Sequence, residues 1–370
     1  MFYQVGNQTF TNKFLASQHA AEQSFTQDNP AEATLHFNLY DSVFDHCDWS
    51  QEPETSWDQL LDMRAHQIAA KNKPIVLNFS GGTDSYTVYK VFERNKIHID
   101  ILNIRLHPGQ RENNRFREVY EFLNQGIYDP LTRIVTRTDS ADLYRDVYSN
   151  PYWIFEKGAR YHWGAIGSGD YIAEKYLSEI LGTDDFISII GLEKPRIVFQ
   201  NSQVYSTQDD ENYPRVMSNK TLDCFYISPD LPELHVKQSY MLLNYIKSLK
   251  PSATCADDLT DFNNMHNPWL FDWLDYSIKG CGRFGDINQS TLQHQGNFGS
   301  RITIPSEGEN LFYNGRNNNW WETLNGSAAH KNYIEGLMLV ARSDAGRFLL
   351  GNPSNFYHMR QFRSMHKMKF

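Results

Sequence analysis

The chain has 370 residues, a net charge of −9 and an aromatic share of 14%, a length that suits one large α/β domain with additions or two modest domains. Residues 1–70 hold ten acids against Lys13 and Arg64, whereas from Ala341 onward six bases face only Asp344. An acidic front argues against a broad nucleic-acid surface there, and the basic end leaves room for a small contact, so nucleic acid is a possible but disfavoured partner. Cys47, Cys224, Cys255 and Cys281 are scattered without a CxxC pair, which favours reduced thiols over a disulfide framework or a zinc site. The polar start and the lack of any uncharged apolar run of spanning length lead us to expect a cytoplasmic protein with no membrane partner.

In chain order, residues 1–55 read as an irregular acidic segment. Ser56-Trp57-Asp58 then opens a helix, with Trp57, Leu60, Leu61, Arg64 and Ile68 at helical spacing. Pro74 to Phe79 reads as a buried strand, Asp84 to about Asn95 as a helix, and Ile97 to Ile104 as a second strand. A polar helix over Arg111–Leu123, a strand over Thr132–Thr136 and a helical stretch over Ala141–Tyr148 follow. Gly169–Leu181 reads as helix and Phe186–Ile190 as another buried strand. This alternation predicts a parallel twisted sheet with helices on both faces, whose ligands bind at the carboxyl ends of the strands. Beyond residue 200 the rhythm changes: an amphipathic helix within Pro229–Leu249, an aromatic helical stretch over Asn264–Ile278, and Gly- and Asn-rich chain to about Gly326. The expected division is 1–55, a nucleotide-binding 56–200, and a mostly helical, irregular 201–370.

The strongest local signal is Ser80-Gly81-Gly82-Thr83-Asp84-Ser85, directly after Ile75-Val76-Leu77-Asn78-Phe79. A strand, a two-glycine turn and a Thr-Asp-Ser helix start bring several backbone N–H groups and a helix N-terminus to bear on one point, which suits phosphate oxygens. Ser80, Thr83 and Ser85 add hydroxyls, and Asp84 suits Mg²⁺. The Gly-Lys-Ser/Thr ending of a Walker loop is missing. Gly191-Leu192-Glu193-Lys194-Pro195-Arg196, following the strand Phe186–Ile190, would open on the same sheet edge. There Lys194 and Arg196 would neutralise phosphates and Glu193 would join Asp84 at the metal; a solvated charged turn is the alternative. Arg105, His107, Arg111, Arg115 and Arg117 form either a solvated helix face or an anion contact. His162, Trp163 and Asp170 are a further candidate site wall. His235 and Lys237 read as packing or surface residues, and Cys281 as a weak nucleophile candidate.

SGGTDS in this context resembles the SGGxDS signature of the PP-loop ATP pyrophosphatases. The stretch from Trp57 through the loop is similar to the opening of an asparagine-synthetase-like synthetase domain. The resemblance implies a HUP-type sheet, ATP and Mg²⁺ as ligands, and cleavage of ATP to AMP and pyrophosphate with adenylation of a small-molecule or macromolecular acceptor. It also implies that adenine contacts backbone groups at the ends of the first two strands, by position Asn78 and Phe79, and Asn103, Ile104 and Arg105. GLEKPR stands where asparagine synthetases carry a Gly-rich motif ending in Asp-Glu. A sulfonucleotide-reductase-like or nucleic-acid base-modifying relative, or a nucleotide-binding regulator without turnover, are the alternatives. A chain starting Met1-Phe2-Tyr3, whose first cysteine is Cys47 in an acidic stretch, leads us to expect no glutaminase activity.

Overall fold

Four parallel pairings build the larger sheet around the apolar run that begins at Ile75. The computed structural model describes residues 3–10, 16, 19–20, 35–81, 83–106, 117–126, 128–138, 149–150, 165–191, 195–209, 220–264, 328, 331–332, 335 and 363–370. Strand β4 (Ile75–Asn78) leads through helix α3 (Thr83–Arg94) to β5 (Ile101–Leu106), then through α4 (Arg117–Gln125) to β6 (Arg133–Thr138). Helix α5 (Ala165–Leu181) returns the chain to β7 (Ile187–Ile190), and β10 (Leu222–Cys224) completes the sheet. The strand order is β10-β7-β4-β5-β6, and every pairing is parallel. The chain therefore winds outward from β4 in one direction and then restarts on its other side. The gap between the ends of β4 and β7 is the switch point, where such sheets open a crevice. The expected α/β architecture is observed.

Strand faces explain the burial. Leu77, Leu102 and Ile104 join the main core, whereas Val76, Ile101 and Val135 pack with Phe186 and with Leu177 of α5. Both faces are covered, as the near-continuous apolar runs require. Helix α2 (Trp57–Ala69) is capped as its sequence foretells: Ser56 Oγ accepts from the Gln59 N–H, and Gln59 Oε1 accepts from the Ser56 N–H at 3.1 Å. Strand β5 begins at Ile101 rather than Ile97, because Lys96 takes a left-handed conformation (φ 56°) and the Ile97 N–H bonds back to Phe92 in a turn after α3.

A second sheet was not foreseen. It has the order β2-β1-β3-β11-β9-β8 and unites distant segments: β1 (Tyr3–Val5), β2 (Gln8–Phe10), β3 (Leu35–Phe37), β8 (Arg196–Gln200), β9 (Gln203–Asp209) and β11 (Arg363–Met368). All of its pairings are antiparallel except β3 with β11. Residues 1–55, read as irregular, thus supply three strands and the short helix α1 (Asp41–Phe44). Residues beyond 200, read as mostly helical, supply β9, β10 and β11 beside helix α6 (Pro232–Leu249) and a 3₁₀ segment at Ala256–Asn264. The expected boundary near residue 200 runs through both sheets, since β8 and β9 form one hairpin across Asn201 and Ser202 and β10 rejoins the parallel sheet. Those two turn residues have φ of 51° and 58°, which lets a two-residue turn match the strand twist. The helical stretches expected at Ala141–Tyr148 and Asn264–Ile278 lie, apart from Asn264 at the end of the 3₁₀ segment, outside the described residues. No described helix is long and apolar enough to cross a membrane.

Candidate functional site

The loop after β4 lies at the switch point because β4 is flanked by β5 and β7, with Asn78 in register with Asn103 on one side and Ile190 on the other. Gly81 has φ 74°, a left-handed conformation that glycine adopts without steric cost, and it turns the chain from strand into helix. Helix α3 then starts at Thr83. Its first-turn amides have no intrahelical carbonyl to meet, so the helix directs donors and positive potential to the carboxyl edge of the sheet. Gly82 and the Thr83 side chain lie outside the described residues.

Inside the loop the two serines close on each other. The Ser80 N–H donates to Ser85 Oγ at 3.1 Å, and the two hydroxyls are also 3.1 Å apart. Ser85 is buried. The Ser80 amide, expected as a phosphate donor, is therefore engaged within the loop, and Ser85 shapes the turn as much as it lines it. Beneath the loop, Phe79, Tyr86, Tyr89 and Phe122 pack ring against ring, with Phe79 and Phe122 centroids 4.7 Å apart. Burial first, then Glu93, pushes the Tyr89 hydroxyl above its ordinary range, so it stays protonated.

Two neighbours seat the start of α3. An alanine Cβ at Gly191, just after β7, would lie 3.1 Å from Asp84 C and 3.2 Å from both Asp84 O and Ser85 N. A residue without a side chain allows that approach with no displacement of the α3 backbone. Tyr226, fully buried after β10, donates its hydroxyl to the Asp84 carbonyl at 2.9 Å. Its ring lies parallel to Trp57 of α2 at 6.3 Å. The β10 turn is in turn anchored by Arg64 of α2, which is wholly buried. Its Nε donates to the Phe225 carbonyl at 3.3 Å, and its guanidinium pairs with Asp223 and, at 3.6 Å, with Asp230. Lys71 approaches Asp230 at 3.0 Å. Burial works to raise the Asp230 carboxyl, but Lys71 and then Arg64 outweigh it and hold it below its ordinary value.

The strand ends carry a polar relay. Asn78 Nδ2 donates to Ser188 Oγ at 2.8 Å and to the Ile189 carbonyl at 3.0 Å, and Asn103 Nδ2 donates to Asn78 Oδ1 at 2.8 Å. Asn103 Oδ1 is buried and has no hydrogen-bond partner among the described residues. The Phe79 N–H donates to the Asn103 carbonyl at 2.9 Å, while the side chains of Phe79 and Ile104 are core. Backbone groups expected to meet adenine at Phe79 and Asn103 are thus bonded to each other.

The structure therefore brings together Asn78, Phe79, Ser80, Gly81, Asp84, Ser85, Asn103 and Gly191 at one edge. Arg105 extends β5 in register with Arg137, and Arg196 opens β8 opposite Thr207, in the second sheet rather than in the loop itself. Glu193 and Lys194 lie outside the described residues, as do His107, Arg111, Arg115, His162, Trp163, Cys281 and the side chains of Arg117 and Asp170. Sequence reasoning missed Tyr226 and Arg64 as supports of the loop; Arg64 at a core position of a capped helix was the available signal. His235 is fully buried, and Lys237 donates to the Pro53 carbonyl at 2.9 Å and pairs with Glu52, so both are structural. Burial, then Glu233 and Asp45, raise the Cys47 thiol above its ordinary value, which makes it a poor nucleophile at neutral pH. In comparison with protein families, with curated proteins and with solved structures, nothing matches this chain.

Proposed function

We propose that this chain is a PP-loop ATP pyrophosphatase with a HUP-type sheet, which binds ATP with Mg²⁺ at Ser80–Ser85 and adenylates an acceptor. One observation carries the reading: SGGTDS stands at the carboxyl end of the central strand, beside the switch point, with Gly191 of the next strand packed on its helix start. A left-handed Gly81 and the helix N-terminus that follows it suit a pyrophosphate-shaped anion. A carboxylate at Asp84, on that first turn, is the donor type Mg²⁺ prefers. Bound there with Glu193 as second ligand, Mg²⁺ would neutralise charge on the phosphate oxygens.

The chain's own part is positioning and charge. The loop and helix start hold the β,γ-phosphates as a leaving group, and the positive charge they need would come from Lys194 and Arg196 of the segment after β7. An acceptor oxygen, from a carboxylate or carbonyl, attacks the α-phosphorus in line as the bond to the bridging oxygen breaks, leaving acceptor–AMP and pyrophosphate. A nucleophile then displaces AMP; if the product is an amide, the nitrogen comes from ammonia or an amine. Chromatography of the nucleotide products, with candidate acceptors present, decides the reaction. AMP and pyrophosphate are expected, and ADP with phosphate as main products would refute it. Asp84→Ala and Ser80→Ala should each cost about 2–4 kcal/mol of transition-state stabilisation, measured as kcat/KM, with circular dichroism unchanged.

A further inference from the structure

We propose that Tyr226 is a positioning residue for the phosphate loop: its hydroxyl, bonded to the Asp84 carbonyl, sets the attitude of the first turn of α3 toward a metal-bound pyrophosphate group. This rests on the reading of Ser80–Ser85 as the triphosphate site. Tyr226 lies two residues past β10, outside the loop itself. In the parallel register Cys224 stands beside Ile190, and the Phe225 N–H donates to the Ile190 carbonyl at 3.0 Å. The chain therefore leaves β10 toward Gly191, on the same edge as the helix start. Three contacts hold the fully buried ring. It lies parallel to Trp57 at 6.3 Å and edge-on to Phe225 at 5.3 Å, and its hydroxyl donates to the Asp84 carbonyl at 2.9 Å. The backbone of Phe225 is tied down in turn by Arg64 Nε. The hydroxyl is thus a fixed post rather than a swinging arm.

What the post fixes follows from peptide geometry. A peptide unit is planar and trans, so its C=O and N–H point in opposite directions. With the Asp84 carbonyl held toward Tyr226, the Ser85 N–H of the same unit is held toward the N-terminal end of α3, where an anion is favoured. The Asp84 Cα belongs to that unit as well, so the same bond sets where the carboxylate assigned to Mg²⁺ starts from. Gly191 acts on the same atoms in another way. Its close approach to the carbonyl carbon and oxygen of Asp84 is a steric limit, which resists compression and not withdrawal. The Tyr226 hydroxyl resists withdrawal, because moving the turn away stretches its hydrogen bond. With one neighbour pushing and the other pulling, the turn has a single seat.

The test compares the unaltered chain with Tyr226→Phe, which keeps the ring and deletes only the hydroxyl, and with Tyr240→Phe as a matched control. Tyr240 is likewise buried and donates to a backbone carbonyl, that of Trp49 at 2.7 Å, but it does so between α6 and the 41–49 segment. Equilibrium binding of inorganic pyrophosphate and of ATP, each with Mg²⁺, is measured at a temperature where all three chains are folded, beside urea unfolding. Both variants should lose stability to a similar degree. Only Tyr226→Phe should lose affinity, by at least about threefold for pyrophosphate and for ATP alike, with the half-saturating Mg²⁺ concentration rising in step. A smaller loss of pyrophosphate affinity in Tyr226→Phe overturns the proposal. So does an equal loss in Tyr240→Phe, since the hydroxyl would then act through stability alone. In either case binding by the unaltered chain leaves the phosphate site standing. Binding of neither ligand to the unaltered chain removes the phosphate site and this inference with it.

Discussion

Gly191 is where a single residue decides whether the loop can hold its shape. A methyl group there would meet the carbonyl carbon of Asp84 at 3.1 Å, and backbone cannot swing aside as a side-chain tip can. Gly191→Ala should displace the start of α3 by a few tenths of an ångström, cost about 1–3 kcal/mol of stability and weaken nucleotide binding about tenfold or more. Gly182→Ala is the matched control. Gly182 follows α5 with φ 69° and would set its Cβ in open space, so it carries backbone strain of about 1 kcal/mol without touching the loop. Urea unfolding and ATP affinity, measured on both, separate the two effects. Equal affinity losses in the two variants would mean that Gly191 acts only through stability.

At the scale of elements, the loop is held by a chain of contacts running from α2 through β10 to α3. Arg64 bonds the Phe225 carbonyl, and Tyr226 reaches the Asp84 carbonyl. Removing one partner of a buried ion pair leaves the other's charge uncompensated, so Arg64→Ala should cost about 3–5 kcal/mol, whereas the apolar double replacement Arg64→Met with Asp223→Leu should cost less. Denaturant titration of the three chains checks this, and a double variant as unstable as the alanine would count against an electrostatic origin. The elements legible in sequence are those whose signal is local: the helix start at Ser56, the Ile75–Phe79 run and SGGTDS all lie within a few residues of what they specify. Asn78 and Asn103 read as strand-end polar residues, but their relay needs Ser188 and Ile189, which only the crossover through α5 brings alongside. The strands of the second sheet escape for the same reason. Tyr3–Val5 and Leu35–Phe37 are three residues long, too short for an alternation to register, and the latter pairs with Arg363–Met368 from the far end of the chain.

On the scale of the whole molecule, the second sheet depends on β11, which lies between β3 and β9, and β11 is bound to α6 and the 41–49 segment through an unusual polar core. Ser206, Gln208, Ser364 and His366 are all buried, and Ser206 and Ser239 hydroxyls meet at 2.8 Å. His366 stacks on Trp49 at 4.4 Å, while His235 sets its ring edge-on to Trp49 and Phe44, with neither ring nitrogen hydrogen-bonded among the described residues. Burial, then the neighbouring His366, depresses His235 to about 3. Burial likewise depresses His366 to about 4, with Asp41 opposing in part and His36 adding to the fall. Both are therefore neutral in the folded chain and would protonate near 6.5 once unfolded. The unfolded state binds more protons between about pH 4 and 6.5, so stability is complete above that window and falls as pH drops through it, by up to about 1.4 kcal/mol per pH unit for each histidine. The Asp230 carboxyl, held below its ordinary 3.8, adds its own loss only under more acid conditions and does not blur the effect. Urea midpoints should hold between about pH 7.5 and 6.5 and decline steadily from there to about 4.5, and His235→Phe, which keeps an aromatic ring in the slot between Phe44 and Trp49, should remove about half of the slope. A midpoint that holds constant across this range, or a slope unchanged in the phenylalanine variant, would show that these buried rings do not govern the acid stability of the fold.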